Sequence, residues 1–204
     1  MIEITRKTCA AFEALRWVSG AVREGDSRGD PLSNLRTELK RKKLHVVGCD
    51  ARRLHSYELP ADKVPESLRK TALWKVRKRT KTVLWLEKNT EGTLKYPDWR
   101  TVIPPESMGI EVARCHLPEA LAAALTLRYS KRINMDREKF PIFDHSYLSA
   151  ALEIFEGLGF RACQECDTRP LLIKGESGAT AVVMTAMVNR EDFGLEFMQG
   201  EDGK

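Results

Sequence analysis

Aromatic residues are only 7% of the 204-residue sequence, and no run of 18 apolar residues occurs in it. The second absence leaves no stretch able to cross a bilayer as a helix, so a membrane protein is not expected. The start, MIEITRKTC, lacks the basic stretch and apolar run of an export signal, which points to a cytoplasmic protein. Five cysteines (Cys9, Cys49, Cys115, Cys163, Cys166) are an odd number, so free thiols are expected rather than a disulfide framework. GxxxxGK[ST], GxGxxG and HExxH are all missing, which removes a phosphate-cradling loop, an ATPase and a zincin. Cys163 and Cys166 form a CxxC without a second pair; Cys115 and His116 lie far back in the chain, so unligated thiols are the expected state. His45, His55, His116 and His145 fall in no Ser/His/Asp spacing, and Asp136/Glu138 and Glu191/Asp192 read as solvated charges. The residues thus point to no catalytic constellation, no metal and no cofactor.

What the chain does have is 42% hydrophobic residues, enough for a core, and a net charge of +5 that is unevenly spread. Residues 1–104 hold 23 Lys+Arg against 13 Asp+Glu, whereas residues 105–204 hold 11 against 16. Attraction to a polyanion depends on local potential, so the first part would carry it; basic residues also serve as ordinary solubilising surface, and composition alone does not separate the two.

The pattern predicts a strand over residues 2–5 and an amphipathic helix over 9–24 with Phe12, Leu15, Val18 and Val22 on its apolar face. GDSRGDP at 25–31 reads as a loop. Two strands then flank Lys40, Arg41, Lys42 and Lys43 as a hairpin tip, and residues 51–60 add another strand. Residues 61–72 read as a connection and 73–89 as two strands or one bent one, where alternation would put Lys75, Arg77, Arg79 and Lys81 on one face. Prolines at 97, 104 and 105 close this part. Beyond them, helices are predicted over 117–129, ending in Arg128, Lys131 and Arg132, and over 144–159, with Asp144 as N-cap and Leu148, Ala151, Leu152 and Phe155 buried. Three β-like runs follow at 161–166, 170–175 and 180–188, then a tail.

Three segments, in order, resemble the bacterial DNA sliding clamp family, the β subunit of DNA polymerase III. LHVVGCDARRLHSYELP resembles the family's strand–turn–strand with its "ATDGHRLA" pattern, and YPDWRTVIP resembles "FPDYRRVLP". FPIFDHSYLSAALEIF with DTRPLLIKGESGATAVVMTAMV resembles the C-terminal clamp pattern that ends in MPM. Ala51 stands where the family has a turn glycine, Arg52 for its histidine and Thr185 for the MPM proline.

The resemblance implies an α+β DNA-clamp (processivity-factor) fold of two clamp-like domains, helices on one face of antiparallel sheets. Residues 1–106 would match the middle clamp domain, 107–190 the C-terminal one, with 191–204 a tail. It implies a non-enzymatic, nucleoid-associated replication protein that is a homo-oligomer, six domains of a ring needing a trimer. Its partners would be double-stranded DNA, held without sequence preference, a DNA polymerase or other proteins with clamp-binding motifs, and a clamp loader. Phosphate contacts would come from Arg16, Arg23, Arg128, Lys131 and Arg132 on helices and from Lys75, Arg77 and Arg79. The partner-peptide groove would fall on Cys49, Asp50, Ala51, Arg52, Arg53 and Leu54, on Pro97, Thr101 and Val102, and on Val182, Met184, Thr185 and Met187. Core packing of strand ends is the competing reading of these groove residues. The alternative function is a clamp-like interaction module that does not encircle DNA, with its own groove or the Phe193-Gly-Leu-Glu-Phe197 tail binding replication proteins; a small enzyme built on the CxxC and the scattered histidines is the third.

Overall fold

In the structure, a computed structural model, residues 1–23, 25, 29–90, 94–104, 109–112, 139–155, 160–163, 170–175 and 177–189 are described. The apolar spacing of Phe12, Leu15 and Val18 closes helix α1 (Phe12–Ser19) after strand β1 (Ile2–Thr5). The helix is shorter than the pattern predicts because its last amides turn to carbonyls three residues back: Ala21 N donates to Val18 O at 3.1 Å and Val22 N to Ser19 O at 3.4 Å. Strands β2 (Asn34–Lys40), β3 (Lys43–Cys49), β4 (Arg53–Pro60), β5 (Ala72–Arg79) and β6 (Val83–Lys88) follow. Lys40 and Lys43 form the last pair of the β2–β3 ladder, and Arg41 in the turn has φ 58°. Between β4 and β5 two short 3-10 turns occupy the connection, at Ala61–Lys63 and Glu66–Leu68.

The later part contributes β7 (Gly109–Val112), β8 (Lys139–Ile142), helix α2 (His145–Leu152), β9 (Phe160–Cys163), β10 (Leu171–Gly175), β11 (Ala179–Val183) and β12 (Ala186–Asn189). Asp144 caps α2 as predicted, its Oδ1 accepting from Ser146 N at 2.8 Å and Tyr147 N at 3.4 Å. Leu148, Ala151, Leu152 and Phe155 are buried. The run 180–188 divides in two, because β11 joins the large sheet while β12 pairs with β8 in a second one. Strands β7 and β8 have no counterpart in the sequence reading. The helix predicted over 117–129 lies outside the described residues, as do the expected boundary between 106 and 107 and the tail.

The large sheet has ten antiparallel strands in the order β1-β6-β5-β2-β3-β4-β11-β10-β9-β7. Its first and second parts meet where β4 pairs with β11, Leu54 opposite Val182 and His55 opposite Ala181. One face packs on the helices: Leu15, Leu35, Val46, Trp74, Leu84, Leu86, Ala181 and Val183 share a single core with α2's Leu152. Trp17 ties the two parts, its Nε1 donating to Ala150 O at 2.8 Å and its ring stacked on His55 at 4.2 Å. Gly48 lets β3 lie this close to α1, since a Cβ there would sit 2.3 Å from Val18 O. On the opposite face a smaller cluster of Val47, Leu54, Leu172 and Val182 is covered by Tyr96 and Trp99.

Candidate functional site

The smaller cluster is the floor of a groove. In segment 94–104, Pro97 and Pro104 oppose regular structure, and a 3-10 turn, Trp99–Val102, is started by Asp98, whose side chain accepts from Arg100 N at 3.2 Å. Trp99 is anchored from below: its Nε1 donates to Glu38 Oε2 at 3.4 Å, Arg100 Nη2 reaches the same oxygen at 3.0 Å, and the Arg100 guanidinium lies 4.3 Å from the Trp99 ring centre. Burial acts to raise the Glu38 carboxyl pKa, but the hydrogen bonds and positive charges of Arg100, Trp99 and Arg36 outweigh it and hold the group below the usual carboxylate range.

The other wall is the β3–β4 turn. Asp50 Oδ1 accepts from Arg52 N and Arg53 N, both at 2.9 Å, and Oδ2 accepts from Arg53 Nε at 3.0 Å. Arg53 Nη2 continues to Gly20 O at 2.8 Å, so the turn is pinned to the end of α1. Ala51 completes it with φ 74°, the left-handed conformation in which a glycine would be free of Cβ strain. Between these walls lies an apolar groove of about 290 Å³, floored by Leu54 and Val182. Val102 and Met184 are 46% and 42% exposed, two of only four large hydrophobic side chains so exposed among the described residues. Cys49 sits in it half-buried, and burial pushes its thiol pKa up. Burial likewise raises the Tyr96 hydroxyl, whose oxygen has no hydrogen-bond partner among the described residues.

Of the groove residues expected from the sequence, Cys49, Ala51, Arg53, Leu54, Pro97, Thr101, Val102, Val182 and Met184 line this one groove. Asp50 acts behind the wall, Arg52 is exposed at the turn and Thr185 is outside the lining. Met187 falls in β12, and its side chain lies outside the described residues. The sequence reading missed Leu32, Tyr96, Asp98 and Trp99. Tyr96 and Trp99 flank Pro97 and Asp98 in the very motif that carried the resemblance, and large aromatics beside a proline in a surface segment were the available signal; Leu32 had none.

The expected DNA contacts are arranged differently from the prediction. Strand β5 bulges between Val76 and Lys78, which shifts its register against β6 by one residue. Arg79 then stands opposite the buried Leu84, on the helix side, while Lys75 stands opposite Glu87, so alternation does not put Lys75, Arg77 and Arg79 on one face. They converge instead on a cleft of about 370 Å³ beside the end of α1, where β5 runs on past the start of β2 at Asn34. Arg23, Lys75, Arg77, Lys78 and Arg79 line it, and among the described residues no acidic side chain does. Asp30 and Glu87 nevertheless pair with Arg23 at 2.8 Å and Arg77 at 2.5 Å from outside. Arg16 is not part of the cleft. It bonds Glu13 at 3.0 Å and Glu153 at 2.5 Å and joins α1 to the turn after α2. Arg128, Lys131 and Arg132 lie outside the described residues, as does Cys166; among the described residues no group of His, Cys, Asp and Glu could hold a metal, and no helix is long and apolar enough to cross a membrane.

This fold, an antiparallel sheet with helices packed on one face and segment 94–104 laid on the other, is that of the DNA polymerase processivity clamps. Solved structures that it resembles include bacterial sliding clamps. With the DNA polymerase sliding clamp of Pseudomonas aeruginosa the TM-score is 0.59 at 14% identity, over 92% of this chain and 66% of that one. With the clamp of Bacillus subtilis the values are 0.57, 15%, 91% and 63%, and with the β subunit of the Streptococcus pyogenes polymerase 0.57, 14%, 91% and 65%. The chain therefore spans a little under two thirds of the length of these clamps. No family model and no curated protein sequence matches it.

Proposed function

We propose that the protein is a non-enzymatic, clamp-like tether that holds replication or repair proteins by short peptides seated in the groove between segment 94–104 and the β3–β4 turn. The observation that carries this reading is the groove itself. Four separate stretches of chain converge to leave Val102 and Met184 exposed beside a floor of Leu54 and Val182, an apolar surface with an adaptable methionine at its rim. The partners would be a DNA polymerase and other proteins carrying clamp-binding peptides, with a clamp loader for a ring. Association of copies into a closed ring and a place at the cytoplasmic nucleoid belong to the same reading. Sequence-independent DNA contact would run through the cationic cleft of Arg23, Lys75, Arg77, Lys78 and Arg79.

Fluorescence anisotropy with a labelled clamp-binding peptide from a bacterial replicative polymerase tests the groove. Met184→Glu changes an exposed side chain and leaves the core alone; it should weaken binding at least tenfold. Undetectable binding at high micromolar concentration both to the unaltered chain and to a chain with Phe193, Leu195 and Phe197 replaced by alanine sinks the groove reading.

A second reading is favoured by the ion pairing of Arg16, Arg23 and Arg77 within the protein, which reduces the charge offered to phosphates. It is an interaction module that uses the same groove and does not encircle DNA.

A further inference from the structure

We infer that the groove is occupied, in the absence of a partner, by this chain's own C-terminal segment, residues 190–204, folded back in the same molecule. The inference rests on the groove being a peptide site, and it adds what competes for it. Three observations support it.

The first is pattern. Phe193, Leu195 and Phe197 alternate with Gly194 and Glu196, so in an extended segment the three large apolar side chains fall on one face. That is the form an apolar groove of about 290 Å³ accepts. The second is charge. Residues 190–204 contain five acidic residues against two basic ones, and the wall formed by the β3–β4 turn carries Arg52 and Arg53. Arg53 is already held by Asp50, so the exposed Arg52 is the cation that offers most.

The third is reach. Met184, at the groove rim, is five residues before Asn189, where β12 ends. Five extended residues carry the chain roughly 17 Å from the rim. The six residues from 190 to 195 span up to about 20 Å and the eight to Phe197 about 26 Å, so Leu195 and Phe197 reach the rim whatever direction β12 takes, and Phe193 follows where β12 turns back toward it. A covalently attached competitor acts at a high effective concentration, so even a weak intrinsic fit suppresses binding from solution.

The test uses the full chain, the full chain carrying F193A/L195A/F197A, and two labelled probes: a synthetic peptide of residues 190–204 and the polymerase-derived peptide used above. Both probes should bind the triple variant at least fivefold more tightly than the unaltered chain. The ratio should not change on tenfold dilution of the protein, and M184E should abolish binding of both. Equal affinity of the polymerase-derived peptide for the chain and the triple variant overturns the inference and leaves the groove reading standing. If neither probe binds the triple variant, the groove reading fails with it. A ratio that collapses on dilution assigns the segment to a second copy and overturns the intramolecular arrangement. If circular dichroism shows the triple variant misfolded, the same comparison is made with Phe197→Glu alone.

Discussion

Ala51 is the residue at which local strain is easiest to see. Its φ of 74° places a Cβ where only glycine is at ease, and the Asp50 hydrogen bonds to Arg52 N and Arg53 N keep it there. Relief of that strain is worth about 1–2 kcal/mol, less about 0.4–1 kcal/mol for the freer unfolded glycine. Ala51→Gly should therefore raise stability by about 0.5–1 kcal/mol in urea unfolding, and an unchanged midpoint would show that the turn is not strained. His55 gives a prediction in pH. It is fully buried beneath Trp17, its Nδ1 3.1 Å from Trp17 O, and burial pushes its pKa down to about 3. The unfolded chain binds a proton at His55 below about pH 6.5, and the folded chain does not, so stability falls as pH drops from about 6.5 toward 3. The slope from this one group approaches about 1.4 kcal/mol per unit. His55→Gln should unfold with a pH dependence shallower by close to one proton between pH 6 and 4.5; equal slopes would place the titration elsewhere.

At the scale of elements, the groove depends on a segment that has little regular structure of its own. Segment 94–104 stays on the sheet through Trp99 and Arg100 on Glu38 and through Tyr96, which sits 5.7 Å from the Arg36 guanidinium. Arg100→Ala removes a partly exposed pair and a stacking contact, a loss of about 1 kcal/mol or less in global stability. Its local effect should be larger: amide exchange of residues 99–103 should quicken at least severalfold, with α1 unchanged, and unaltered exchange would mean that Trp99 alone holds the wall. The same segment shows what the sequence could and could not give. Asp144 and the stripe Leu148, Ala151, Leu152 and Phe155 were legible because capping and helical spacing are local. The β5 bulge was not, because the register of Val76 and Lys78 is set by β6 and by Leu84 beneath the sheet, and so the cation stripe was misread. Groove residues from Cys49 to Met184 were reached through motif resemblance, since no periodicity links β4, β11 and segment 94–104. Tyr96 and Trp99 stayed hidden because their role is to cover strands far away in the chain.

For the whole molecule, the large sheet ends among the described residues at β1 and β7, the edges through which a ring could extend that sheet. Antiparallel edge strands pair readily with another chain, and head-to-tail pairing generates a closed ring if the rotation permits. Light scattering on a sizing column should report a trimer for a six-domain ring; a monomer at all concentrations would favour the interaction module. DNA affinity should fall steeply with salt, and Lys78→Glu with Arg79→Glu should flatten that dependence by about two counterions. An unchanged slope would remove the cationic cleft from the DNA contact.

The groove also has a mechanical meaning. Its floor, Leu54 against Val182, is the β4–β11 seam by which the first and second parts of the chain are joined. If the groove takes a peptide as proposed, a peptide lying across it would touch both sides and so act as a clasp. Pulling the two parts apart would have to tear the clasp as well as the ladder, so a loaded molecule should resist shear along the seam better than an empty one. Conversely, any event that springs the seam open would shed the cargo in the same movement.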